Sequence, residues 1–163
     1  MAQRPKPSPK TAPLPKPDGL TVRPFQPGDE PPVVALWEAC ELTRPWNDPH
    51  QDIARKLCHQ PELFLVALRA GQIVGSVMAG YEGHRGWINY LAVAPHCRRQ
   101  GLGRILMDHA ERRLLQCGCP KINLQVRCGN QSVLEFYRRI GYLPDDVVSL
   151  GKRLISDQPG AKP

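Results

Sequence analysis

Residues 98–103 read Arg-Arg-Gln-Gly-Leu-Gly and lead directly into an apolar-periodic stretch, so a basic, glycine-containing loop opens a helix. Backbone N–H groups at a helix start point outward at the positive end of the macrodipole, which suits an anion. Gly101 and Gly103 carry no side chain to hold a phosphate away from those amides. Arg98, Arg99 and Arg104 add attraction for a multiply charged group. Two nucleotide fingerprints do not fit. G-x-G-x-x-G fails because its third glycine position is Leu106, and G-x-x-x-x-G-K-[ST] fails because no Gly-Lys-Ser/Thr occurs. The plainer alternative is an arginine-rich solvated turn before an ordinary helix.

The elements around the loop must position it. Residues 87–93 read as an apolar strand followed by Pro95, and Leu102, Ile105, Leu106, Ala110 and Leu114 keep helical spacing up to Gly118. Further upstream, residues 20–25 read as an opening strand. A helix follows with Asp29 at its cap and Val33, Leu36, Trp37 and Cys40 on one face. A shorter helix begins with Asp48 and Pro49 and turns Ile53 and Leu57 inward. Strands over residues 63–69 and 72–81 flank Ala70–Gly71, a tight hairpin signal. Residues 121–126 read as a strand, 131–140 as a helix closed by Gly141, and 147–154 as a final strand. The order β-α-α-β-β-β-α-β-α-β implies an α/β fold with a central mixed, mostly antiparallel sheet and helices on both faces.

The chain has 163 residues, of which 41% are hydrophobic and 23% charged, enough for one packed domain. That domain should occupy residues 20–155. Residues 1–19 form a disordered basic, Pro-rich tail and residues 156–163 a flexible end. The net charge of +7 is uneven, since the tail holds Arg4, Lys6, Lys10 and Lys16 against Asp18. The remaining domain is mildly basic and aromatics are only 6%, so nucleic acid is not the expected partner. No apolar run is long enough to span a membrane, and the early prolines do not read as a secretory signal, so a cytoplasmic protein with reduced thiols is expected. Cys117 and Cys119 lack a second close-spaced pair, so no metal site is expected.

Arg98-x-x-Gly101-x-Gly103, after a strand ending Leu91-Ala92-Val93-Ala94-Pro95, resembles the acyl-CoA motif of the GNAT superfamily of N-acetyltransferases. Asn130, Tyr137 and Gly141-Tyr142 resemble that family's second signature, and the resemblance spans about residues 20–154, most closely a bacterial subgroup without a settled substrate. It implies a GNAT-like fold whose sheet is splayed at one point, between the strands at 87–93 and 121–126. The pantetheine arm of acetyl-CoA, a co-substrate, would lie in that slot and pair with the backbone of Leu91 and Val93. Its pyrophosphate would sit on the amides of Arg99, Gln100, Gly101, Leu102, Gly103 and Arg104. An amide near Leu91 and Ala92 would stabilise the oxyanion. Tyr137 would protonate the departing thiolate, or else be a core residue. Asn130 would bond the pantetheine arm, cap its helix, or do both.

Family members often carry a Glu in or before the strand preceding the loop. This chain has Asn89 and Tyr90 there, and Glu82 and His84 in the preceding turn are the nearest base candidates, through water. The segments at 44–49 and 80–86 fall where the family builds its acceptor pocket. The resemblance implies direct acetyl transfer in a ternary complex to a primary amine, either a small molecule or a protein N-terminal or lysine amine. The alternative is a non-catalytic CoA-binding sensor on the same fold. A homodimer is compatible with either.

Overall fold

The computed structural model describes residues 19–157. The expected tail and C-terminal end fall almost wholly outside them. The elements run β1 (Leu20–Pro24), α1 (Glu30–Ala39), α2 (Pro49–Leu57), β2 (Phe64–Arg69), β3 (Gln72–Tyr81), β4 (Gly86–Val93), α3 (Leu102–Gln116), β5 (Ile122–Leu124) and α4 (Gln131–Arg139). The five strands form one sheet in sequence order; β1 to β4 pair antiparallel and β5 joins β4 in parallel. The hairpin expected at Ala70–Gly71 is present, with both residues left-handed (φ 49° and 76°) and Arg69 opposite Gln72.

Successive strand residues point to opposite faces. A methyl group on Gly75 would meet Leu106 and Leu102 of α3, whereas the next residue, Ser76, bonds Trp37 of α1. Helices α1 and α3 therefore cover opposite faces of the sheet. On the α1 side, Phe25 stacks on Phe64 at 4.5 Å and Trp37 on Phe64 at 6.0 Å. On the other, Leu102, Leu106, Met107, Ala110 and Leu114 bury the inner stripe of α3.

Two expectations fail. The strand over residues 147–154 does not form: the described residues after α4 hold no helix or strand, and Val147, Val148, Leu150 and Leu154 are exposed. β5 is only three residues long, so its outer edge offers little to pair with. Side chains attach the segment instead, through Lys121 to Asp145 (2.6 Å) and Gln125 to Ser149. The second failure is one of bonding: Asp29 occupies the N-cap position of α1 as expected, but its side chain makes no cap bond. Its carboxylate takes a two-pronged bond from Arg23 (2.6 and 2.9 Å) and one from the Gln26 amide (2.8 Å), tying β1 to the helix entry.

Arg23 holds the buried Asp29 carboxyl below its ordinary range. The pair therefore stabilises the fold above the unfolded carboxyl pKa of about 4, and that stability is lost as pH falls below it. Asp29→Ala should cost about 2 kcal/mol at pH 7, and its melting temperature should fall less between pH 7 and pH 3 than the wild type's. Equal acid-induced losses in the two proteins would remove this role.

Candidate functional site

Strand β4 splits from β5. They pair only through Gly86, Trp87 and Ile88 against Ile122, Asn123 and Leu124, and from Asn89 onward β4 has no strand partner on that side among the described residues. In an antiparallel ladder alternate residues exchange both bonds with the neighbour. Ala94 donates to Val74 O, so Val93, and by the same alternation Leu91, turn their N–H and C=O groups into the split. The Val93 carbonyl already accepts from Arg98 Nε (3.3 Å) and Cys40 Sγ (3.3 Å), which leaves its N–H and the Leu91 groups free.

The split opens toward the start of α3. None of the six amides from Arg99 to Arg104 donates to an acceptor among the described residues. Left-handed backbone at Arg99 (φ 60°) and Gly101 (φ 78°) winds the loop so that successive N–H groups form an anion-binding concavity. The two glycines serve different ends. Nothing lies within 4 Å of a Cβ built on Gly101, so its conformation is the requirement there; a Cβ on Gly103 would press on the Phe136 ring at 3.2 Å, so Gly103 lets α4 close on α3. Gln100 is held away from the concavity by Arg69 (2.7 Å) and His96 O (3.2 Å).

The first turn of α4 is fixed by Asn130, whose side-chain oxygen accepts from Val133 N (3.4 Å) and Ser132 Oγ (3.2 Å); the helix-capping alternative is thus realised. Tyr137 is buried with its ring edge-on to Phe136 (5.1 Å) and Tyr142 (5.6 Å). Its hydroxyl bonds no described residue, and burial pushes its pKa up to about 12, so it stays a proton donor at neutral pH.

β4 carries a bulge where the split begins. Ser76 opposes Ala92 and Met78 opposes Asn89, so the single residue Val77 faces both Tyr90 and Leu91. Tyr90 has φ +50°, costly for an aromatic residue, and three contacts hold it there. Its ring stacks on Trp37 at 3.9 Å; its carbonyl accepts from Ser76 Oγ (3.1 Å), which accepts from Trp37 Nε1 (2.9 Å); its hydroxyl donates to Asp52 Oδ2 at 2.6 Å. Sequence reading did not find this cluster. A tyrosine inside an apolar strand looks like packing, and Asp52, in the first turn of α2, looks like an ordinary helix-start carboxylate.

Glu82 and His84 are not brought to the split. They lie in the turn before Gly86, with the run of strand from Gly86 to Tyr90, about 13 Å, between them and the bulge. Glu82 accepts from the amides of His84 (2.7 Å) and Arg85 (2.8 and 3.0 Å), which lowers its pKa and weakens it as a base. Of the segment at 44–49, Asn47 reaches the cluster through Asp52 Oδ2 (3.3 Å), while Trp46 is exposed with Arg127, beyond β5, over its ring at 5.9 Å.

A cavity of about 860 Å3 lies elsewhere, between β5, α4 and residues 143–149; it touches β4 only at Trp87. Tyr137 is on its wall. The split, not this cavity, combines unpaired strand groups with the free amides of the loop.

Residues 32–142 match the model of the Acetyltransferase (GNAT) family. A Sodalis glossinidius protein described as an acetyltransferase is 51% identical over 140 residues, covering 85% of this chain and 99% of its own length. The solved structure of Ard1 from Thermoplasma volcanium has a TM-score of 0.65 at 26% identity, over 77% of this chain and 83% of that one. An aminoglycoside acetyltransferase from an uncultured soil metagenomic sample gives 0.67 at 24% identity, over 85% and 98%, a likeness of fold alone.

Proposed function

Because the chain belongs to the GNAT family of acetyltransferases, we propose that it transfers acetyl from acetyl-CoA to a primary amine by direct attack in a ternary complex. The observation that carries this reading is the run of six free amides at the open end of the split. They suit a diphosphate, and the unpaired backbone groups of Leu91 and Val93 suit the two amides of a pantetheine arm.

The chemistry follows from that placement. The neutral amine attacks the thioester carbon, and the Leu91 amide, beside the bulge, stabilises the oxyanion; the Ala92 amide faces β3 by the same alternation and stands outside this role. Preorganised donors of this kind contribute about 3 kcal/mol. As the C–S bond opens, the Tyr137 hydroxyl gives its proton to sulfur. No acyl-enzyme forms, so the cysteines need no part in it. Glu82 and His84 stand outside this scheme, held at the far end of β4.

The test is calorimetry with acetyl-CoA followed by a thiol-release assay across primary amines: small amines, N-terminal peptides and lysine peptides. Binding with amine-dependent thiol release supports transfer. Binding with no release on any amine favours a CoA sensor, and no binding defeats both readings.

A further inference from the structure

The scheme above lacks a group to receive the amine, and the bulge supplies one. We infer that Asp52 is the acceptor-side carboxylate, binding a cationic primary amine at the mouth of the split and taking its proton. This rests on the transfer reading proposed above.

Asp52 is half-buried and stands on the α1 side of the bulge. Oδ2 accepts from the Tyr90 hydroxyl (2.6 Å) and from Asn47 Nδ2 (3.3 Å), and Oδ1 lies 3.3 Å from Arg55. Arg55 is shared: it pairs with Asp52 Oδ1 and also meets Asp157 with both terminal nitrogens, and Asp157 accepts from the Asp48 amide (3.1 Å) as well. Asp157 thus fixes the start of α2 and competes with Asp52 for the one guanidinium.

Asn47 holds the carboxylate from the loop before α2 and itself accepts from Arg153 (2.9 Å). A strained strand residue is the other uncharged constraint. The fold keeps Tyr90 left-handed through Trp37 and Ser76, and the result is a phenol aimed at one carboxylate oxygen. Burial and Asp52 hold that phenol well above its ordinary range, so Tyr90 is a fixed donor that orients the carboxylate. Other carboxylates near the sheet lie off the bulge: Glu111 bonds Tyr142 (2.9 Å) on the wall of the cavity beside β5, Asp145 pairs with Lys121, and Glu82 is held in its own turn.

The steps balance. An ammonium reaching Asp52 passes one proton to the carboxylate and on to solvent, and its lone pair attacks the thioester carbon. The new N–C bond forms, the C–S bond breaks, and sulfur takes the Tyr137 proton. The second N–H proton then restores Tyr137. The sum is ammonium plus thioester giving amide, thiol and one released proton.

The test needs no knowledge of the natural acceptor. S-(3-aminopropyl)-CoA carries an ammonium beyond the sulfur, and S-butyl-CoA is its uncharged isostere. The wild-type chain should bind the amine at least about tenfold more tightly than the isostere by calorimetry. Asp52→Asn should abolish that preference with acetyl-CoA affinity unchanged, which also shows that the variant is folded. Tyr90→Phe keeps the ring on Trp37 and should lose part of the preference. Equal affinities in the wild type, or a preference that D52N retains, overturn the assignment and leave the CoA site standing. Failure of both thioethers and acetyl-CoA to bind defeats the transfer reading, and this inference with it.

Discussion

Tyr137→Phe should lower kcat about 100-fold or more while leaving acetyl-CoA affinity unchanged, the usual size of a lost general acid. The substitution is clean. The ring contacts with Phe136 and Tyr142 remain, and the hydroxyl has no described partner to strand in the core. Thermal stability should therefore hold, and the whole effect should fall on turnover. Because burial lifts this phenol to about 12, it is protonated throughout the ordinary assay range. Wild-type kcat should show no alkaline decline from this group below about pH 11. Undiminished kcat in the variant would make Tyr137 a packing residue on the wall of the cavity beside β5.

Gly101→Glu should weaken acetyl-CoA binding about 100-fold or more. Two effects act together: a residue with a Cβ pays about 1–2 kcal/mol to keep φ near +78°, and a carboxylate is placed among the amides meant for a diphosphate. Open space around the site means the fold itself should survive. Gly101→Asn, which tolerates left-handed backbone, should bind acetyl-CoA far better than the Glu variant. Gly103→Glu should also fail, but by pushing Phe136 and α4 off α3, so it reports on packing and phosphate together. Unchanged affinity in Gly101→Glu would mean that the anion sits elsewhere.

Local patterns made much of this fold legible. The period-3.6 stripe of Leu102, Leu106, Ala110 and Leu114, the Ala70–Gly71 hairpin and the Asp48–Pro49 helix start are each set by neighbours in sequence, and each is found where it was read. The loop at residues 98–104 belongs to the same class, since its exposed amides follow from helix geometry. The failures lie where tertiary partners decide. Residues 147–154 have strand composition but no edge long enough to pair with. Asp29 prefers a bidentate arginine six residues back to the helix amides ahead of it.

The acceptor end was hidden for a related reason. Tyr90 and Asp52 are 38 residues apart, and only the bulge in β4 turns the phenol toward α2. Nothing in the run Trp87 to Val93 marks a left-handed residue, because the strain is imposed by Trp37 and Ser76. Glu82 is the nearest carboxylate along the chain, but it lies beyond the paired end of β4, away from the split.

Amide hydrogen exchange with and without acetyl-CoA examines the split and its ring of main-chain donors most directly. Saturating acetyl-CoA should slow exchange at Arg99 to Arg104 and at Leu91 and Val93, with little change along β1 and β2. Unaltered exchange at those amides, or protection confined to residues 143–149 and the outer side of β5, would contradict the placement of the thioester carrier between β4 and β5.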